Sequence, residues 1–203
     1  MQKSCILFDL GGVLYDINHS LTRTALQSLQ KTESKPLVFA LETIDPVFGL
    51  YDAGLINSHE FRNHLRADHG VNASDEEINA AWNAMLIGLY HDAIDTVKQL
   101  REHYTIALLS NINEIHFDAI QEECSELFSL FHHTVFSYHH GKRKPDPTLF
   151  SKTIQKIGCS PAEIVFLDDT PANCLAAQTL GITSILINPA QAEWRKQFLV
   201  DYL

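Results

Sequence analysis

Short apolar runs that stop at polar residues recur along the chain, and this pattern predicts the strands of a buried parallel sheet. The first run is Cys5–Phe8, and it ends at Asp9. In the second half of the chain, similar runs alternate with apolar residues at helical spacing, which predicts parallel strands joined by right-handed crossovers. The expected strands lie near 104–109, 133–137, 163–167 and 183–187, and the expected helices near 91–103, 113–123, 147–158 and 171–180, with a last helix carrying Trp194 and Phe198.

The segment between the first two of these strands has a different pattern. Its apolar residues recur at helical spacing, and it contains no comparable apolar strand. Start signals support two helices, because Asn57 or Ser58 precedes Glu60, and Ser74 precedes Glu77. The expected helices lie near 19–31, 43–53, 58–69 and 74–87.

This division predicts both the fold class and the domains. We expect an α/β protein with a Rossmann-like parallel sheet core, helices on both faces and an inserted helical cap. Residues 1–14 and 91–203 would form the core, and residues 15–90 the cap. A helical lid inserted after the first strand can close over a small substrate and exclude water.

Four of the strands lead into residues that carry chemistry. Ser110 and Asn111 follow the second strand, Lys144 comes after the third, and Asp168-Asp169 follows the fourth, while Asp9 ends the first. Ligands bind outside the carboxyl ends of the strands in open α/β sheets, so these residues are expected to face one site. A carboxylate pair, an anionic nucleophile and polar and cationic donors are the parts needed for metal-assisted attack on a phosphate.

At these positions the chain resembles the haloacid dehalogenase-like hydrolases. The resemblance covers about the whole chain, and within that family it is greatest to bacterial sugar-phosphate phosphatases similar to α-D-glucose-1-phosphate phosphatase. Four motifs carry it, in the order expected for the family: Phe8-Asp9-Leu10-Gly11-Gly12-Val13-Leu14, Leu109-Ser110-Asn111, Arg143-Lys144-Pro145-Asp146-Pro147 and Phe166-Leu167-Asp168-Asp169.

The resemblance implies a role for each catalytic and substrate-binding candidate. Asp9 would attack phosphorus and form an aspartyl-phosphate. Ser110 and Asn111 would bind the phosphoryl oxygens, and Lys144 would neutralise the developing charge. The implied enzyme is a phosphoric monoester hydrolase acting on a small phosphorylated metabolite.

The resemblance also implies a Mg²⁺ cofactor. Asp169, with Asp168 beside it, would hold the ion together with the Asp9 carboxylate and the main-chain carbonyl of Gly11. The residue types agree with this cofactor, because Mg²⁺ prefers oxygen ligands and usually keeps several waters.

Each candidate also has a purely structural interpretation. Asp9 could cap a turn, and Ser110-Asn111 could cap the helix that starts near Asn113. Lys144 could be one of three solvated charges in Lys142-Arg143-Lys144. Asp168-Asp169 could begin a helix, because carboxylates favour the first turn. The coincidence of all four motifs favours the site.

One departure from the family pattern concerns proton transfer. Many phosphatases of this family have a second aspartate two positions after the nucleophile as general acid and base, and this chain has Gly11 there. A positioned proton donor is worth ~10²–10⁴ in rate. A sugar 1-phosphate, whose anomeric hydroxyl leaves readily, would tolerate the loss. Otherwise Asp16, His19 or His59 could replace the acid, or the enzyme could be slow.

The predicted cap offers aromatic and polar side chains for substrate selection. Tyr15, Phe48, Tyr51, His59 and Trp82 could line its inner surface, although packing between helices would also explain Phe48 and Trp82. The adjacent pairs His132-His133 and His139-His140 do not form ready chelates, because neighbouring side chains point in different directions. His139 or His140 could line the approach to Lys144.

Composition narrows the partners. The net charge of −10 argues against nucleic acid, which requires clustered Lys and Arg. No apolar stretch approaches the ~20 residues of a membrane span. The scattered thiols of Cys5, Cys124, Cys159 and Cys174 are expected to be free. We expect a cytoplasmic monomer or homodimer whose partner is a small phosphorylated metabolite.

Two other functions remain open at this point. One is a metal-independent haloacid dehalogenase-type hydrolase that attacks carbon, and the other is a non-catalytic relative that binds a phospho-ligand or a protein. Gly11 favours both. The first would leave the Asp168-Asp169 pair without an evident purpose, because attack on a carbon–halogen bond does not require Mg²⁺.

Overall fold

The computed structural model describes residues 3–31, 45–191 and 193–203. The strands are β1 (Cys5–Phe8), β2 (Tyr15–Ile17), β3 (Leu86–Leu89), β4 (Thr105–Ser110), β5 (His133–Phe136), β6 (Ile164–Asp168) and β7 (Thr183–Leu186). The helices are α1 (His19–Ser28), α2 (Pro46–Asp52), α3 (Ser58–His69), α4 (Asp75–Asn83), α5 (Ala93–Arg101), α6 (Glu114–Ile120), α7 (Ser125–Leu130), α8 (Pro147–Ile157), α9 (Pro171–Thr179) and α10 (Trp194–Tyr202).

Five parallel strands form the central sheet, in the order β5-β4-β1-β6-β7. The central strand, β1, is fully buried, because helices cover both faces of the sheet. Its side chains alternate between the faces, so Ile6 and Phe8 pack in one hydrophobic core and Cys5 and Leu7 in the other. The predicted α/β fold with a parallel sheet is confirmed.

The structure differs from the predicted elements in two places. The helix expected near 113–123 ends at Ile120, and a separate helix begins at Ser125. The helix expected near 74–87 ends at Asn83, because the following residues form β3, which pairs with β2 in a small antiparallel sheet. Neither β2 nor β3 was predicted as a strand. The two strands lie far apart in sequence, so a local pattern does not reveal their pairing.

Helices α1 to α4 enclose a third hydrophobic core that is rich in aromatic residues. The rings of Phe48 and Trp82 stack with centroids 5.2 Å apart, and those of Tyr51 and Phe61 stack at 4.3 Å. The predicted capping boxes are present, from Asn57 to Glu60 and from Ser74 to Glu77. The helix expected near 19–31 ends at Ser28. Residues 32–44, which include the start of the helix expected near 43–53, lie outside the described residues.

Two further expectations concern the cysteines and membranes. Cys5, Cys124, Cys159 and Cys174 are free thiols, as predicted. Among residues 3–31, 45–191 and 193–203, no helix has both the length and the apolar character to cross a membrane.

The last helix fixes the loop that follows β1. Arg195 in α10 is 3% exposed, and its guanidinium donates hydrogen bonds to Asp92 Oδ1 at 2.6 Å and to the Val13 carbonyl at 2.9 Å. It also lies 4.2 Å from the centroid of the Tyr90 ring. Because a buried cation needs such partners, α10 and the loop after Asp9 hold each other in place.

Candidate active site

The predicted strand-end residues meet in one cavity. Because β1 lies between β4 and β6, their carboxyl ends open on the same edge of the sheet, as the parallel arrangement requires. Asp9, Ser110, Asn111, Lys144 and Asp169 all line a cavity of about 240 Å³ at this edge.

Lys144 lies at the centre of the charged groups. It is 1% exposed, and its Nζ is 2.7 Å from Asp9 Oδ1 and 2.6 Å from Asp168 Oδ2. Desolvation disfavours the charged ammonium, but the carboxylates of Asp168 and Asp9 outweigh it and raise the pKa of Lys144. Lys144 is therefore a buried cation and not part of a solvated basic triplet. Its neighbour Lys142 is half exposed and pairs with Asp146 at 3.0 Å.

The Asp9 carboxylate is held through one of its oxygens. Asp9 Oδ1 accepts a hydrogen bond from the Leu10 main-chain N–H at 2.7 Å and also contacts the Lys144 ammonium. Burial raises the pKa of Asp9, and the charges of Asp168 and Asp169 raise it further against the opposing effect of Lys144. The site therefore holds more negative charge than Lys144 offsets.

The two adjacent aspartates have different surroundings. Asp168 is fully buried: Oδ1 accepts hydrogen bonds from the Thr170 N–H at 2.8 Å and from Asn173 Nδ2 at 3.0 Å, and Oδ2 accepts from Lys144. Because Thr170 directly precedes α9, its hydrogen bond to Asp168 also stabilises the start of that helix, which agrees with the structural interpretation that Asp168-Asp169 begins a helix. Asp169 is half-buried and faces the cavity, where burial and the charge of Asp168 raise its pKa.

Asn111 uses its side chain to hold Lys144. Asn111 Oδ1 accepts from the Lys144 N–H at 2.8 Å, and Nδ2 donates to the Lys144 carbonyl at 3.0 Å. Ser110 is 3% exposed, and its hydroxyl makes no hydrogen bond to another described residue. The cap of α6 is the side chain of Asn113, so the interpretation of Ser110-Asn111 as that cap is wrong.

The carboxylates suit a hard divalent cation. One oxygen each from Asp9, Asp168 and Asp169 lie within 4.8 Å of one another. Lys144 offsets one of the three negative charges, and the two that remain match one Mg²⁺. Gly11, whose carbonyl is the remaining candidate ligand, lines the same cavity.

Gly12 allows one of these carboxylates to approach the loop after β1. Its φ is +71°, and a Cβ placed on it would lie 2.2 Å from Asp169 Oδ2. Only glycine tolerates both the backbone conformation and this contact.

Of the three substitute acids proposed from the sequence, His19 lies in the cavity wall. Asp16 accepts a hydrogen bond from the Tyr90 hydroxyl at 3.3 Å, His59 bonds to Asn63, and neither lines the cavity. Desolvation lowers the pKa of His19, against the charges of Asp169 and Asp52, although part of the residue is exposed to solvent.

The wall beyond the charged groups is partly aromatic. Phe48, Trp82 and Tyr15 line it, so Phe48 and Trp82 both pack in the helical core and face the cavity. The other expected residues do not line it, and these are Tyr51, His59, His139 and His140.

Three charged or titratable residues of the wall were missed by sequence reasoning. They are Asp52, Arg143 and His116. Asp52 is the last residue of α2, and its Oδ2 lies 3.6 Å from Arg143 Nη2. The His116 ring stacks on the Trp82 ring with centroids 4.9 Å apart. Burial raises the pKa of Asp52 and lowers that of His116 to about 4. Arg143 belongs to the third motif but was not assigned to the site. No local signal marks Asp52 or His116, because they come from helices α2 and α6, which lie far apart in sequence.

Comparison with known proteins places the chain in a family. A family model described as haloacid dehalogenase-like hydrolase matches residues 3–181. The chain belongs to the haloacid dehalogenase-like hydrolases. The predicted family and its hydrolase class are therefore confirmed.

Relatives of this hydrolase share nearly its whole length. It is 27% identical to a D-ribitol-5-phosphate phosphatase from Bacteroides thetaiotaomicron, over 96% of each chain. It is also 27% identical to a sesquiterpene phosphatase from Aspergillus oryzae, over 92% of this chain and 90% of the other. A Bacteroides thetaiotaomicron enzyme of the same family, crystallised as an aspartate-to-alanine mutant with magnesium and inorganic phosphate, has a TM-score of 0.86 at 30% identity, covering 97% of this chain and 98% of the other.

The space at Gly12 yields a first test. We predict that Gly12→Ala abolishes the stabilisation of the hydrolase by Mg²⁺, because the new methyl group displaces the Asp169 carboxylate. Gly158→Ala is the matched control: its φ is +80°, but a Cβ there meets nothing within 4 Å. Both variants carry a backbone strain of roughly 1–2 kcal/mol. The rise in Tm on addition of Mg²⁺ separates them, and a normal rise in Gly12→Ala would contradict the assignment of Asp169.

Proposed function

We propose that this hydrolase is a Mg²⁺-dependent phosphatase of a small phosphorylated sugar or sugar alcohol, acting through an aspartyl-phosphate. The chain is a phosphoric monoester hydrolase, in keeping with the phosphatases among its relatives, and magnesium is its cofactor. The observation that carries the mechanism is the buried Lys144 ammonium, held between Asp9 and Asp168 beside the cavity-facing Asp169.

The first half of the reaction uses the free oxygen of Asp9. The Leu10 N–H and Lys144 hold Oδ1, so Oδ2 attacks phosphorus, and the bond between phosphorus and the ester oxygen breaks. Lys144 and the Ser110 hydroxyl bind the phosphoryl oxygens. The Asn111 side chain fixes the Lys144 backbone, which leaves the Asn111 main-chain N–H as the group that can bind phosphate.

In the second half, water attacks the phosphorus of the aspartyl-phosphate and releases inorganic phosphate. The attack restores the Asp9 carboxylate, and the proton lost by water must pass to a base in the cavity. Lys144 stays charged throughout, because the Asp168 carboxylate lies 2.6 Å from its ammonium.

Asp9, Asp169 and the Gly11 carbonyl are the proposed holders of Mg²⁺. Once bound, Mg²⁺ offsets negative charge on the phosphoryl group. Asp168 supports Lys144 instead of binding the ion, because protein donors already occupy both of its oxygens. The metal-binding residues expected from the sequence included Asp168, and this proposal leaves it out.

Cavity size and wall chemistry support a small substrate. The volume of about 240 Å³ falls below the ~300–1,000 Å³ of pockets that take drug-sized ligands. The aromatic rings of Phe48 and Trp82 suit the C–H faces of a polyol chain, and Asp52 and Arg143 offer partners for hydroxyl groups. We propose that residues 15–90 act as the cap and that these wall residues select the leaving group.

His19 is the proposed proton donor in place of the acid absent at Gly11. The relative named for ribitol 5-phosphate has a substrate whose leaving group is an ordinary alcohol, which needs a proton more than an anomeric hydroxyl does. His19 reaches the cavity, and an imidazole exchanges protons near neutral pH. Asp52 is less suited, because its carboxylate accepts from Asn113 and faces Arg143.

The nucleophile is tested by Asp9→Asn. We expect this variant to fold and to release no phosphate, because a neutral amide does not attack phosphorus. Phosphate release is measured from sugar phosphates, sugar-alcohol phosphates, nucleotides and an activated aryl phosphate, with Mg²⁺ and with a chelator. Mg²⁺-dependent release by the wild type alone supports the proposal. Failure of the wild type on every substrate would favour a binding protein or a carbon–halogen hydrolase.

The proton donor is tested by His19→Gln on substrates whose leaving groups differ. We expect kcat for an alkyl phosphate to fall by ~10²–10⁴, and kcat for an activated aryl phosphate to change little, because the aryl oxide leaves unprotonated. His59→Gln is the control, since His59 lies outside the cavity wall. An equal fall on both substrates would show that His19 only maintains the structure.

A further inference from the structure

Three side chains of metal-ligating types meet between α2 and α3. Asp45 precedes α2 as its N-cap, and His64 and His69 both belong to α3. One donor atom from each lies within 4.8 Å of the others. None of the three lines the catalytic cavity, so the phosphatase mechanism does not use this cluster.

The carboxylate of Asp45 is oriented towards both imidazoles. Its Oδ1 accepts a hydrogen bond from the Val47 N–H at 2.9 Å, which caps α2 and fixes the carboxylate plane. Its Oδ2 lies 3.1 Å from His64 Nε2 and 2.6 Å from His69 Nε2. Three donor atoms therefore converge on one point.

A second carboxylate supports one of the imidazoles from behind. Asp68 Oδ2 lies 2.8 Å from His64 Nδ1, on the side of the ring away from Asp45. A carboxylate that accepts the second N–H of a histidine is a recurrent feature of zinc sites, where it fixes the tautomer and directs the other nitrogen to the metal. Here Asp68 directs Nε2 of His64 towards Asp45 and His69.

We propose that Asp45, His64 and His69 form a second metal site, for Zn²⁺, that joins the start of α2 to α3. Two imidazoles and a carboxylate suit Zn²⁺, and water can complete a tetrahedral set. Tetrahedral bonds of ~2.0–2.2 Å place ligand atoms ~3.3 Å apart. The present separations of 3.1 and 2.6 Å require the ligands to open by about 0.2 and 0.7 Å. Binding displaces the protons from both Nε2 atoms.

The site is reachable and has a structural consequence. The side chains of His64, Asp45 and His69 are 28%, 22% and 12% exposed, so an ion can enter from solvent. The helix that Asp45 caps also carries Phe48, which forms part of the cavity wall. Bound Zn²⁺ would therefore stabilise the wall that selects the substrate.

Calorimetric titration of the full chain with Zn²⁺, in excess Mg²⁺, tests the proposal. We expect His69→Gln to lose a Zn²⁺ site that the wild type has. Asp68→Asn should weaken that site by about 10–100-fold, because it removes only the support behind His64. Asp68 is 61% exposed, so this variant keeps the test valid if His69→Gln fails to fold. His59→Gln is the matched control, because His59 lies on the same helix and its one hydrogen bond among the described residues is to Asn63.

The titration also separates this site from the catalytic carboxylates. Asp169→Asn should retain the Zn²⁺ site. The titration measures metal binding, so its outcome does not depend on phosphatase activity. Zn²⁺ binding that survives His69→Gln and disappears in Asp169→Asn would place the ion in the catalytic cavity and overturn the proposal. Absence of Zn²⁺ binding to the wild type would overturn it as well.

Discussion

The arrangement of the site depends on the burial of one ammonium group. Removing the Lys144 charge from water is costly, and only well-placed opposite charges offset that cost. Asp9 and Asp168 supply them from the ends of two adjacent strands, β1 and β6, at 2.7 and 2.6 Å. The ion pairs thus form only when the sheet has its native register, and the Asn111 side chain then fixes the backbone of Lys144.

This constraint also prepares the site for a divalent cation. Because Lys144 brings one positive charge to the three carboxylates of Asp9, Asp168 and Asp169, the group keeps an excess of negative charge, and the raised pKa values of Asp9 and Asp169 express its cost. A magnesium ion removes that cost. The missing side chain of Gly12 is part of the same arrangement, because it gives Asp169 the space to face the cavity.

The sequence predicted which residues form this site, but not which residue each of them contacts. Strand ends are visible as apolar runs that stop, so Asp9, Ser110 and Asp169 could be assigned to one edge. The division of labour between the two adjacent aspartates was not visible, because it depends on Asn173 and Lys144 reaching Asp168 across the fold. The pairing of β2 with β3 and the cluster around Asp45 are also contacts between distant segments, for which local spacing gives no signal.

Direct detection of phosphoryl-enzyme tests whether Asp9 is the nucleophile that attacks phosphorus. The wild type is mixed with excess substrate and Mg²⁺, quenched in acid within the first turnovers, and its peptides are weighed by mass spectrometry. We predict one added phosphoryl group on the peptide containing Asp9, and none in Asp9→Asn. Phosphate release at the normal rate with no phosphorylated Asp9 at any quench time would contradict it.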